Sequence, residues 1–264
     1  MKYWIRFWVA LWVLFVFAGN VYADGKFPLF TNIAKDFRYL ATSPTRLDAK
    51  SAFITLGAVG VGVGLYFSDE NIRDFFQDHQ NSFFDDLAPV AEKFGYWPAG
   101  LGFVALYGGS GYLMQNEKMQ ETSFLALESF LVANSISVSV KYATGRARPK
   151  RDKGSKSFEP FSFKTSDTSF PSGHTTTAFS LASVFADEYA NPWVDVLAYG
   201  LASLTAWERL YDDKHWASDV WAGFILGTVV GKSVVYLHKK TDLSAYLLPL
   251  FGQDAYGLML VGRF

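Results

Sequence analysis

Six stretches of the chain, at about 51–67, 97–116, 122–142, 174–190, 193–211 and 216–237, are apolar without the strict alternation of a strand, and each is long enough for four or more helical turns. The pattern predicts an all-α protein built as a six-helix bundle. Gly, Ala and Ser recur inside the stretches, a composition that lets helices approach closely in a membrane or a tight bundle. Charges nevertheless interrupt them, at Glu128, Asp187, Glu188, Asp195, Glu208, Asp219 and Lys232, and the mean hydropathy is only +0.10. Between the first two stretches, residues 68–94 interleave acidic side chains with Phe75, Phe76, Phe83 and Phe84, which reads either as amphipathic helices lying on an interface or as two short helices capping a core. An amphipathic, aromatic stretch at 24–50 precedes the first apolar run.

The two ends have different periods. Lys2 and Arg6 stand before an apolar run from Phe7 to Ala18, and Val21-Tyr22-Ala23 offers small residues where a signal peptidase cuts, so residues 1–23 read as an export signal and Asp24 onward as outside the cytoplasm. An uncleaved anchor is the alternative. At the C-terminus apolar residues alternate on both sides of Gly252-Gln253-Asp254, predicting a short C-terminal β-hairpin within 241–264. The division expected is thus a signal at 1–23, one helical domain at 24–240 and a hairpin extension at 241–264.

A net charge of −1 and a pI near 6.4 argue against a nucleic-acid partner bound through overall charge. Cysteine is absent, which removes thiolate metal sites and cysteine nucleophiles, and four histidines remain: His79, His174, His215 and His238.

Three polar clusters sit at helix ends. In "KYATGRARP", Gly145 and Pro149 discourage helix continuation, and Lys141 and Arg148 can reach one pocket. In "PSGH", residues 171–174, a helix start offers unpaired N–H groups to an anion, Gly173 allows close approach and Ser172 adds a hydroxyl. In "ERLYDDKHWASD", His215 and Asp219 are spaced so that on a helix the carboxylate could take the Nδ1 proton and leave Nε2 as nucleophile. Arg209, in the same segment, could fork onto two phosphoryl oxygens. Singly, each cluster has an ordinary explanation as a solvated loop or a structural pair; together they supply what an oxyanion ester needs.

The three clusters resemble the signature of the type 2 phosphatidic acid phosphatase (PAP2) superfamily: lysine, six residues, Arg-Pro; then Pro-Ser-Gly-His; then Ser-Arg, five residues, histidine, three residues, aspartate. Lys141 with Arg148-Pro149, residues 171–174, and Arg209, His215 and Asp219 match in order, with Glu208 in place of the serine. The resemblance implies that His215 attacks phosphorus, that Asp219 orients and stabilises its imidazolium, and that His174 protonates the leaving alkoxide and then activates water. It implies a phosphate cradle of Lys141, Arg148, Ser172, Gly173 and Arg209, with no metal and no cofactor. His79 and His238 receive no role.

The aromatic content of 18% and the amphipathic loops favour a phosphorylated lipid at a membrane over a soluble ester. Exported acid phosphatases acting on small phosphomonoesters, lipid phosphotransferases and vanadium haloperoxidases share the pattern and stay open as rivals. A site facing the periplasm is expected; with residue 24 also outside, either one early apolar stretch, such as 51–67, does not cross the membrane, or the whole bundle is a periplasmic body attached to it.

Overall fold

A computed structural model describes residues 29–241 together with the strands 246–251 and 256–261. The export signal expected at 1–23 lies outside the described residues.

The helical body corrects the six-helix expectation. Among the described residues there are eight α-helices: α1 (Leu29–Thr42), α2 (Ala49–Asp78), α3 (Ser82–Lys93), α4 (Trp97–Leu113), α5 (Glu117–Thr144), α6 (Gly173–Tyr189), α7 (Pro192–Tyr211) and α8 (Ala217–Thr241). The two extra helices, α1 and α3, arise where the apolar pattern was too sparse to count. Each is amphipathic, and a short apolar stripe becomes helical once a neighbour covers it: α1 lies against α5 and α8, and α3 against α7. The acidic run at 68–78 is simply the last turns of α2, followed by a break at residues 79–81, where the Asn81 side chain caps α3 by accepting from Phe84 N. A C-terminal hairpin is likewise no layer of this all-helical body: Tyr246–Phe251 and Tyr256–Val261 pair antiparallel with one another, as a two-stranded sheet on its own.

The centre of the body is α6. Its residues Thr175 to Val184 are buried on every face, and small side chains let three helices, α5, α7 and α8, pack around it. The reason for the closest of these contacts is a row of glycines on α8. A Cβ on Gly223 would stand 2.6 Å from Ser172 O, on Gly227 2.6 Å from Thr176 O, and on Gly231 2.7 Å from Ser180 O. With hydrogen in those places the two backbones touch directly. Deeper in the same core, Leu125, Val132, Val184, Val230 and Val234 are 0–1% exposed.

The outside of the body is apolar. The helices α2, α5 and α8 (over Ala217–Lys239) are long and apolar enough to cross a membrane, and the most apolar stretch of α2 has no residue buried inside the protein. Phe53, Ile54, Leu56 and Phe67 on α2 and Leu106 and Leu113 on α4 are all at least 60% exposed. Surface of this kind suits hydrocarbon and associates the body with a membrane. The stretch expected not to span, 51–67, lies in α2, which is long and apolar enough to cross.

Candidate functional site

Three chain reversals bring the polar clusters to one end of the bundle. The helix α5 stops at Gly145, whose φ of +58° is the left-handed conformation of a helix C-cap, and whose N–H bonds to Lys141 O at 2.9 Å. A side chain there would collide with Glu159 O, since its Cβ would lie 1.7 Å away. The chain therefore turns back, carrying Arg148 alongside the end of its own helix. The helix α6 starts at Gly173, capped by Ser172. Between α7 and α8, Lys214 N and His215 N both bond to Arg209 O, at 3.1 and 3.2 Å, which folds His215 back beside Arg209. Finally, Ser172 N bonds to Asp219 O at 2.9 Å, tying the start of α6 to the start of α8.

Within this cluster Lys141 Nζ donates to Thr168 O at 2.8 Å and also to Pro171 O. A Cβ on Gly173 would stand 3.9 Å from Lys141 Nζ, so glycine keeps clear the space next to the ammonium. Arg148 reaches Thr168 Oγ1 at 3.4 Å through Nη2, while its Nε is buried with no hydrogen-bond partner. His174 stacks on Tyr96 with ring centroids 6.3 Å apart, and its Nε2 is likewise buried and unbonded. Gly95, in the turn before α4, presses on His174 O, leaving 2.6 Å for a Cβ.

The charges act on one another. Burial first, then Lys141, Arg148 and Arg209, hold the His215 imidazole well below its ordinary range. Burial, then Arg209, His215, Arg148 and Lys141, push His174 down to about 2. Burial and then Arg209 lower Arg148. Two imidazoles and three cations thus share one electrostatic neighbourhood, and in the field of the cations alone both rings are neutral.

Two expectations take a different form. The helix α8 begins at Ala217, so His215 precedes it and the helical four-residue geometry does not apply. His215 Nδ1 lies 3.8 Å from Asp219 Oδ2, too far for a hydrogen bond, and Ser169 Oγ stands near both, 3.4 Å from the ring nitrogen and 2.5 Å from the carboxylate. Asp219 Oδ2 also accepts from Trp216 N at 2.9 Å. Ser172, for its part, is fully buried, and its Oγ accepts from Thr175 Oγ1 at 2.9 Å as the cap of α6.

Sequence reasoning passed over several residues here. Arg146, 0% exposed, donates to Asp219 Oδ1 at 2.6 Å and to Asp69 Oδ2 at 2.7 Å. Its position two residues before Arg148 was visible, but nothing marked it as the buried member of the pair. Glu92, on α3, lies 2.9 Å from Arg209 Nη2 and 3.7 Å from His174 Nε2. Arg209 Nε and Nη2 also donate to the neighbouring Glu208, whose carboxyl is pushed up to about 7, mainly by burial. The cation counted as open for phosphate is therefore already held by two carboxylates. His79, in contrast, stacks on Phe75 at 4.3 Å, in keeping with a structural place. Among the described residues no group of three or more His, Asp and Glu could hold a metal.

Three cations, two imidazoles and a helix start, gathered at one end of an all-helical body with an apolar exterior, are the groups that binding an oxyanion ester requires. The family model of the PAP2 superfamily matches residues 123–242, which include all three clusters. The chain is 40% identical over 94 residues, 35% of its length, to a protein named lipid A 1-phosphatase from Porphyromonas gingivalis. The match spans only 18% of that relative's length, and 41% and 47% of two rhizobial proteins of the same name. The fold resembles the crystal structure of Aquifex aeolicus LpxE, with a TM-score of 0.52 and 17% identity over 64% of this chain and 94% of that one. It also resembles a transmembrane PAP2 type phosphatidylglycerolphosphate phosphatase from Bacillus subtilis, with a TM-score of 0.56 and 20% identity over 70% and 96% of the two chains.

Proposed function

We propose that this protein is a metal-independent phosphatase that removes a phosphomonoester or diphosphate group from a membrane lipid through a phosphohistidine. The observation that carries the reading is the pair of buried, unbonded atoms Arg148 Nε and His174 Nε2 in the field of Lys141 and Arg209. A phosphoryl group would give each the oxygen it lacks.

In the first step the Nε2 lone pair of His215 attacks phosphorus, and the bond to the leaving oxygen breaks with its electrons on that oxygen. His174 delivers a proton to it. That ring is neutral among the cations alone, but a bound phosphoryl dianion offsets Lys141, Arg148 and Arg209, so the ring gains its proton together with substrate. In the second step water attacks phosphorus, the P–N bond breaks back onto Nε2, and His174 takes the water's proton. Lys141, Arg148, Arg209 and the N–H groups at the start of α6 stabilise the equatorial oxygens, which is most of what phosphoryl transfer requires.

The lipid arm of the proposal rests on the apolar belt around the site and on the lipid A 1-phosphatase name of the similar proteins. A phosphorylated glycolipid is therefore the first substrate to try, with the site on the periplasmic side. Phosphate release from micellar lipid phosphates, against a water-soluble ester at equal concentration, with a chelator present, tests the whole reading. Lipid turnover should dominate and survive chelation, and His215→Ala should lower kcat by about 10³-fold or more while the protein still folds. Preference for the soluble ester would reject the lipid assignment, and full activity of the variant would reject the nucleophile.

A further inference from the structure

The signature of three clusters ends at Asp219, yet the structure continues the chain of charge by two more residues. Arg146 Nη1 donates to Asp219 Oδ1 at 2.6 Å and Nη2 to Asp69 Oδ2 at 2.7 Å. Ser218 closes the circuit: its N–H donates to Asp69 Oδ1 at 2.9 Å and its hydroxyl to Asp69 Oδ2 at 2.6 Å. Arg146 is steadied from the other side by Ser155 O, at 3.0 Å from Nε and 2.7 Å from Nη2. All three charged groups are at most 1% exposed.

The count of charges gives Asp69 a purpose. Arg146 by itself would neutralise Asp219, leaving His215 beside a pair with no net charge and facing Lys141, Arg148 and Arg209. With Asp69 in the circuit the buried set carries one net negative charge, in a region too poor in water to supply it otherwise. The positive charge that develops on His215 when its lone pair goes to phosphorus is then countered. From this arrangement we infer that Asp69 of α2 is a positioning residue for the nucleophile, acting through Arg146 and Asp219 to hold a net negative charge behind the His215 ring.

The inference rests on the phosphohistidine reading, and its test separates the two. In the full-length protein in detergent, Asp69→Asn removes the net charge, whereas Asp69→Asn with Arg146→Gln restores it, since Asp219 then stands alone. Asp69→Asn should lower kcat about 100-fold with KM changed less than threefold, and the double variant should recover at least tenfold in kcat. Binding gives a readout independent of turnover. Orthovanadate accepts the His215 lone pair as a fifth ligand, while inorganic phosphate is held by the cations only. Asp69→Asn should weaken vanadate at least tenfold and phosphate less than threefold. Equal weakening of both anions, unchanged kcat, or a double variant no better than the single would overturn the proposal. So would failure of both variants to fold, because Asp69 would then be a structural residue only. Wild-type protein that releases no phosphate but shows the vanadate effect would reject the phosphatase reading and leave the role of Asp69 standing.

Discussion

A neutral imidazole inside a ring of cations is the central electrostatic fact at the scale of the residue. His215 is the nucleophile only when unprotonated, and its folded-state value lies below the ordinary 6.5 because burial and then Lys141, Arg148 and Arg209 oppose the charged ring. The proton is therefore bound less readily in the folded site than in a free histidine, and lowering the pH through 6.5 should leave the nucleophile competent. The acid limb of kcat/KM is expected below the ordinary histidine range, and Arg148→Met, which removes one positive neighbour, should move it to higher pH. A pH–rate profile of both proteins on one substrate checks the direction, and a limb that moved to lower pH in the variant would contradict the assignment. The same logic explains why Glu92 and Glu208 accompany Arg209. Each carboxylate relieves part of the repulsion that three buried cations would otherwise impose.

At the scale of the element, the seam between α6 and α8 decides whether the site exists. Gly223, Gly227 and Gly231 bring α8 against the backbone of α6, and that closeness lets Ser172 N reach Asp219 O at 2.9 Å. Gly227→Ala would put a methyl group 2.6 Å from Thr176 O, and the helices must separate to admit it. The expected cost is about 1–3 kcal/mol, the range for overpacking a close contact. Thermal unfolding in detergent measures it, and activity should fall with stability because the two helices carry different clusters. Gly57, whose Cβ would meet nothing within 4 Å, is the control: Gly57→Ala should be neutral or slightly stabilising.

For the whole molecule, the three longest apolar helices each bring one end to the site: the C-terminal ends of α2 and α5, near Asp69 and Lys141, and the N-terminal end of α8, near Asp219. If α2 crosses the membrane, residues before 49 and the site lie on opposite faces. Reporter fusions check this directly. A reporter at residue 155 and one after Arg46 should read opposite faces, the first outside, and identical readings would reject α2 as a span.

The polar clusters that the fold gathers were legible in the letters because they depend on residue type at short spacing. Lys141 and Arg148, the helix start at Gly173, and Arg209 with His215 are each set by a local turn that glycine, proline or a cap announces. Long apolar runs were equally plain, since burial in protein and burial in lipid ask for the same side chains. That common demand is also why the letters could not separate them. The short helices α1 and α3 were legible only as amphipathic stretches, because the neighbours that cover their apolar stripes are set by packing. Only folding could decide that His215 would precede α8 and not ride on it, that Ser169 would stand beside it, and that Asp69, 150 residues upstream of Asp219, would share one arginine with it. Contacts at such separations are made by packing, and a charge acquires its partner, its burial and its meaning only where the packed chain puts it.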